Sequence, residues 1–86
     1  MRYTYDDEAD ALYVLVDEEA EVARSEVVDD RHTVDLASDG RVAGIEVLGA
    51  SLGVDLSALL ERYDLSRLAP HAAALRETRF RPAIPA

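Results

Sequence analysis

Four acidic side chains lie within five positions near the start of the chain: Asp6, Asp7, Glu8 and Asp10. Clustered carboxylates bind Ca²⁺ or Mg²⁺ when their spacing matches a ligand pattern such as the EF-hand loop. Here the glycine of that loop is missing and no histidine is near, so we predict no metal site. The alternative is a tight corner, in which Asp6 accepts hydrogen bonds from the backbone N–H groups two and three residues later. We predict the corner.

A second pair of carboxylates, Asp35 and Glu46, is the main candidate for catalysis. Two carboxylates a few ångströms apart can act as general acid and base, or bind a cation. The competing interpretation is a solvated strand face on which these acids pair with Arg24 or Arg41. His32 is a third candidate, but a lone histidine at an apolar strand end is more typical of a boundary residue with one hydrogen bond. The sequence contains no nucleophile-elbow serine and no glycine-rich phosphate loop, and we predict no cofactor.

The segments that must position these residues are predicted to be β-strands. Residues 2–5 alternate in polarity, with Tyr3 and Tyr5 on one side. Residues 11–16 are apolar at every position, which is typical of a strand that is covered on both sides or central in its sheet. Residues 22–28 carry charge at their middle and indicate an edge strand, where charge discourages pairing with other chains.

Residues 32–47 form the clearest pattern, two alternating segments joined by Asp39-Gly40. This dipeptide predicts a two-residue type I′ turn, and the turn fixes the strand register. The predicted register pairs Leu36 with Ala43, Val34 with Ile45, His32 with Val47 and Asp35 with Gly44. Asp35 and Glu46 then lie diagonally on the polar face. Gly44 is expected to mark a bulge or a close backbone approach.

Beyond Gly49 the apolar spacing changes to that of helices, over residues 54–78. A first helix places Leu56, Leu59, Leu60 and Tyr63 on one side, and a second has Pro70 in its first turn and packs through Leu68, Ala72 and Leu75. Residues 79–86 are predicted to be an extended tail. The predicted fold is a single α+β domain, with an antiparallel sheet of four to five strands in residues 1–48 and the C-terminal helices on one face.

Two blocks of the sequence, "YDDEADALYV" and "VDDRHTVDLASDGRVAGIEVLGAS", resemble the small bacterial proteins of domain-of-unknown-function family 2283. The positions that match are Tyr5, Asp6, Glu8, Ala9, Asp10, Ala11, Leu12 and Tyr13, and then Asp35, Gly40, Gly44, Ile45, Glu46, Val47 and Leu48. The match covers about residues 1–52, and His32 and Thr33 stand where apolar residues are expected. The resemblance implies a small antiparallel sheet with helix, and it supplies no established activity.

The net charge of −9 is unevenly distributed, because residues 1–46 hold 14 acids and 4 arginines whereas residues 47–86 hold 4 acids and 5 arginines. An acidic field repels phosphate backbones and attracts basic proteins, so we expect no nucleic-acid partner. The sequence has no cysteine, no signal-peptide pattern and no apolar segment near the ~20 residues that span a membrane. We therefore expect a cytoplasmic protein without a membrane partner.

These observations favour a non-enzymatic interaction protein, antitoxin-like or regulatory, whose acidic surface binds a basic protein. The second hypothesis is a small hydrolase or metal-dependent enzyme that uses the Asp35 and Glu46 pair. We also expect a homodimer, because residues 11–16 are apolar on both faces while two short helices cover only one face of a sheet.

Overall fold

A computed structural model describes residues 1–83 and contains a five-stranded antiparallel sheet with two α-helices on one face, which confirms the predicted α+β class. Its strands are β1 (Arg2–Asp6), β2 (Ala11–Leu15), β3 (Arg24–Val27), β4 (His32–Leu36) and β5 (Val42–Leu48). The helices are α1 (Ser57–Arg62) and α2 (Ala69–Glu77), and single 3₁₀ turns cover Ala50–Leu52 and Ser66–Leu68. Of the predicted tail, residues 79–83 are neither helix nor strand, and residues 84–86 lie outside the described part.

The strand order is β1-β2-β5-β4-β3, so β5 is inserted between β2 and β4. The wholly apolar strand β2 is therefore paired on both sides, by β1 and by β5. The charged strand β3 pairs only with β4 and lies at an edge, as its sequence predicts. These positions follow from the cost of leaving apolar residues at a strand edge exposed to water and to other chains.

The core lies between the sheet and the helices. Every second residue of the three central strands points to this side, and five of their side chains have no exposed surface: Leu12, Val14, Val34, Ile45 and Val47. The predicted helix faces are confirmed, because Leu56, Leu59, Leu60, Leu68, Ala72 and Leu75 belong to the same buried cluster. Pro70 lies in the first turn of α2, also as predicted. Burial of one such aliphatic side chain contributes about 1.5–3 kcal/mol to folding.

The β4–β5 hairpin has the predicted register but not the predicted turn. His32 pairs with Val47, Val34 with Ile45 and Asp35 with Gly44, whereas Leu36 pairs with Val42 rather than with Ala43. The loop has three residues, Ser38 to Gly40, closed by Ala37 N–H donating to Arg41 O at 2.8 Å.

The type I′ prediction is wrong because such a turn needs positive φ at both central residues. Here Gly40 has φ 89°, while Asp10 and Asp64 are the only non-glycine residues with positive φ in residues 1–83. Because the loop is longer, the pairing next to it is shifted by one residue, so that Leu36 pairs with Val42. A bulge between this pair and the next one, Asp35 with Gly44, restores the predicted register.

No helix among the described residues is long and apolar enough to cross a membrane.

Candidate functional site

The sheet face opposite the helices is uncovered by any element of residues 1–83. We call it the open face, and on the three central strands it consists of Ala11, Tyr13, Leu15, Thr33, Asp35, Gly44, Glu46 and Leu48. Most of these residues are half-buried, and Leu48 is 42% exposed. On the three central strands the open face carries two carboxylates and no basic side chain, so this part of it is both acidic and apolar. At its edge, Arg2 of β1 lies opposite Leu15 on the same face and pairs with Glu18.

A hydrogen-bonded network crosses the open face from β2 to β3. The Tyr13 hydroxyl donates to Asp35 Oδ2 at 2.8 Å, and the Ser25 hydroxyl donates to Asp35 Oδ1 at 2.6 Å. Since β5 lies between β2 and β4, the Tyr13 side chain must pass over β5 to reach Asp35. It does so above Gly44, where a Cβ atom would overlap the phenol ring. The close approach predicted at Gly44 is therefore confirmed, and the group that approaches is an aromatic ring.

The electrostatics of this network keep Tyr13 protonated. Burial, followed by the hydrogen bond to Asp35 and the charges of Asp35 and Glu46, raises the pKa of Tyr13 to about 12. At neutral pH the phenol is therefore a hydrogen-bond donor that holds the Asp35 carboxylate in place. It cannot act as a general base there, because it carries its proton.

The two predicted catalytic carboxylates lie on this one face but in different surroundings. Both oxygens of Asp35 accept hydrogen bonds from hydroxyl groups, and the predicted pairing with arginine is wrong. Arg41 instead contacts Asp17 at 3.0 Å and Asp39 at 2.8 Å. Glu46, opposite Thr33, is half-buried, and its side chain makes no hydrogen bond or ion pair within residues 1–83. Glu46 is thus the carboxylate available to a ligand.

His32 does not join the two carboxylates. It begins β4 opposite Val47 and so faces the helices, on the other side of the sheet from Asp35. Its Nδ1 lies 2.8 Å from Asp29 Oδ1, while its buried Nε2 has no partner in the described residues. The prediction of a boundary histidine with one hydrogen bond is confirmed.

The acidic corner forms as predicted. Asp6 Oδ1 accepts hydrogen bonds from the N–H groups of Glu8 at 3.0 Å and Ala9 at 3.2 Å. Glu8 contributes its backbone to this turn, and its side chain is exposed. Within residues 1–83 no group of three or more histidine, aspartate or glutamate residues is arranged to hold a metal ion.

Asp10 has a role that the sequence did not indicate. With φ 51°, it turns the chain so that Oδ1 accepts from the Tyr5 hydroxyl at 2.6 Å and the Ser51 N–H at 3.0 Å, and Oδ2 accepts from the Ser51 hydroxyl at 2.6 Å. The Ser51 hydrogen bond, followed by that of Tyr5, lowers the pKa of Asp10 below its ordinary value. Asp10 thereby fixes the Ala50–Leu52 turn to the corner. Ser51 is 41 residues away in the sequence, so no local sequence pattern predicts this contact.

Comparison with known proteins gives one finding. A family model described as "Protein of unknown function (DUF2283)" matches residues 2–51, which is more than half of the chain. The matched segment contains all five strands, the open face and the corner, and both α-helices lie beyond it. No curated protein and no solved structure matches the chain.

Proposed function

Because this chain belongs to the DUF2283 family, a family of unknown function, we propose from the geometry that it is a non-enzymatic module that binds a basic segment of another protein. The observation that carries the proposal is the open face. Its three central strands present Asp35 and Glu46 among apolar side chains, and no helix of residues 1–83 lies over them. The one arginine on the neighbouring part of β1, Arg2, is already paired with Glu18. Antitoxin-like and regulatory proteins are examples of modules that act through such binding.

The chemistry of the open face suits arginine or lysine flanked by apolar residues. The free carboxylate of Glu46 can accept a bidentate pair from a guanidinium group. The half-buried ring of Tyr13 offers an aromatic face to a cation, and Leu15 and Leu48 offer apolar contact. Asp35 is already oriented by Tyr13 and Ser25, so little side-chain entropy is lost there on binding.

The loop of residues 17–21 adds long-range attraction at one end of the sheet. Within residues 1–83, two of its four acids are already paired, Asp17 with Arg41 and Glu18 with Arg2. Glu19 and Glu21 have no ion pair in that part of the chain, so they are the charges that can steer a basic partner. Their contribution is to the association rate and to its dependence on salt.

The enzyme hypothesis predicts a different use of the same face. In a small hydrolase or metal-dependent enzyme, Asp35 and Glu46 would act on a substrate or a cation. Asp35 already accepts two hydroxyl hydrogen bonds, which leaves Glu46 as the one unengaged carboxylate of the pair. This is the reason for ranking binding ahead of catalysis.

The predicted homodimer would use the open face in a third way, since a second copy would bury it. Such a dimer would bring the carboxylates of two copies close together, and the two chains repel through a net charge of −9 each. Added salt screens this repulsion and should strengthen a dimer, whereas it should weaken a complex with a basic protein. Light scattering at low and high salt distinguishes the two complexes by the sign of the effect.

The test starts with recovery of proteins that co-purify with the tagged chain from its own host at low salt. Binding of a recovered protein is then measured by calorimetry with the wild type, with Glu46→Gln on the open face, and with Glu61→Gln on α1. Both variants remove one exposed or half-exposed carboxylate, so they change the net charge equally. We expect about a tenfold loss of affinity in Glu46→Gln, or roughly 1.4 kcal/mol, and none in Glu61→Gln.

Two outcomes would contradict the proposal. In one, both variants weaken binding equally, so that only overall charge matters. In the other, no protein binds while the purified chain turns over a substrate, and Glu46→Gln abolishes the turnover.

A further inference from the structure

A cleft of about 580 Å³ lies between the Ala50–Leu52 turn and the segment that follows α2. Its volume is within the range of small-molecule sites. Three arginines line it, Arg76 at the end of α2 and Arg79 and Arg81 just beyond. With Glu77 as the one acid among the lining residues, the lining has a net charge of +2 in a chain whose net charge is −9.

These three arginines differ from most others in the chain. Arg2, Arg41 and Arg62 form ion pairs, and Arg31 donates to the carbonyl groups of Leu48, Gly49 and Gly53. In contrast, the exposed side chains of the three cleft arginines make no hydrogen bond or ion pair within residues 1–83. Arg24 and Arg67 also lack such partners within residues 1–83, but they lie outside this cleft, whereas the three cleft arginines line one cavity.

The fold holds two of these arginines on the same side. Phe80 is buried against the rings of Tyr5, at a centroid distance of 4.9 Å, and Tyr3, at 5.7 Å. The Ala83 N–H donates to Asp7 O at 2.8 Å and fixes the segment beyond. Arg79 and Arg81 flank the anchored Phe80 in the chain, and both line the cleft.

Two carboxylates near the cleft are already engaged. Asp55 accepts hydrogen bonds from Ser57, which lower its pKa, and the charge of Arg76 adds to that effect. Asp10 accepts hydrogen bonds from Tyr5 and Ser51. In addition, the backbone N–H groups of residues 79–81 make no hydrogen bond in the described chain. The guanidinium groups of the three arginines that line the cleft are therefore hydrogen-bond donors that residues 1–83 do not use.

We propose that this cleft binds a small molecule that carries at least two oxyanion groups, carboxylate or phosphate. Guanidinium groups bind both groups through paired hydrogen bonds, and three of them around one cleft match more than one anionic group. A small ligand fits better than a long polyanion, because the remainder of the protein surface is acidic and repels an extended chain. The site uses residues beyond the 2–51 family segment, apart from the turn, and is independent of the open face.

The experiment is a calorimetric titration with inorganic pyrophosphate and, separately, with citrate, accompanied by backbone amide NMR. The test variant is Arg79→Gln/Arg81→Gln. The control is Arg24→Gln/Arg67→Gln, which removes the same charge from two exposed arginines that also lack ion pairs within residues 1–83 but lie outside the cleft. We expect at least a tenfold loss of affinity in the test variant, less than twofold in the control, and amide shifts at Ser51 and Gly53 in the wild type.

The two probes separate the two chemistries. Tighter binding of pyrophosphate assigns the site to phosphate ligands, and tighter binding of citrate assigns it to carboxylates. The proposal is overturned if neither probe binds at millimolar concentration, if the control variant weakens binding as much as the test variant, or if the amide shifts lie away from the cleft.

Discussion

The two faces of the sheet are made by alternate residues of the same strands, yet different interactions hold the side chains of each face in place. Toward the helices, the side chains of β2, β4 and β5 are aliphatic and buried, apart from His32 at the start of β4. On the open face the same strands carry a tyrosine, two carboxylates and a glycine, and a hydrogen bond joins the tyrosine to one carboxylate, Asp35. The covered face stabilises the fold because its apolar surface is removed from water.

The largest expected difference between the two faces is in the loss of stability when one leucine of β2 is truncated on each face. Leu12 is fully buried on the covered face and Leu15 is half-buried on the open face. Leu12→Ala should lower the free energy of unfolding by about 2–5 kcal/mol because it leaves a cavity, and Leu15→Ala by less than about 1 kcal/mol. Urea denaturation measures both. Equal losses would mean that the open face is covered in solution.

The next effect concerns the crossing of Tyr13 over Gly44. Gly44→Ala places a methyl group where the phenol ring lies, so the ring must leave and its hydrogen bond to Asp35 is lost. We expect a loss of about 1–2 kcal/mol in the free energy of unfolding.

The matched control is the same substitution in a Tyr13→Ala background. There the new methyl group has no ring to displace, and the penalty should largely disappear. An unchanged penalty would show that it arises from the backbone of β5 and not from the ring.

A smaller effect is expected from Tyr13→Phe, which keeps the ring and removes one hydrogen bond, at about 1 kcal/mol near pH 7. The pKa of Tyr13 is raised from 10.0 to about 12. The stability linked to its proton is therefore complete below pH 10.0 and is lost as pH rises toward 12. The difference in unfolding free energy between wild type and variant should narrow over that interval. A constant difference would refute the assignment.

The smallest effect is expected at the acidic corner, from Asp10→Asn. Asparagine tolerates the positive φ of Asp10, so the substitution keeps the turn while it removes the charge and replaces one acceptor oxygen by an NH₂ donor. The pKa of Asp10 is lowered from 3.8, so the stability linked to its charge is present above pH 3.8 and lost as pH falls through the lower folded value. Thermal unfolding should show the variant less stable at pH 7 and the difference closing in acid. Asp7→Asn, at a neighbouring exposed acid, is the control for the removal of one negative charge from this corner.

The sequence was sufficient for the features that depend on local periodicity. The alternation of Val34 and Ile45 with polar residues determined the hairpin register, and the spacing of Leu56, Leu59 and Leu60 determined the face of α1. The turn was mispredicted because Asp39-Gly40 also fits a three-residue loop that ends with glycine at positive φ. The bulge could not be predicted, because Val42 and Ala43 are both apolar and the polarity pattern does not show which of them pairs with Leu36.

The sequence was less informative about the candidate site. Asp35 and Glu46 were placed on one face from the hairpin alone. Tyr13 was not, because its position depends on the pairing of β2 with β5, which are distant in sequence. A tyrosine in the middle of an apolar strand and a glycine in the middle of another were the available signals. They become informative only when the strand order is known.

The insertion of β5 between β2 and β4 has a consequence for the order in which the chain folds. Three of the four strand pairings join consecutive strands, whereas the fourth brings Leu15 to Gly44. Closing a loop of this length costs about 3 kcal/mol of chain entropy, so we expect the β1–β2 hairpin and the β3–β4–β5 unit to form before they join. Tyr13 meets Asp35 only at that last step. A chain in which the two units have not yet joined therefore has no assembled open face, so the binding proposed for that face would be a property of the fully folded molecule alone.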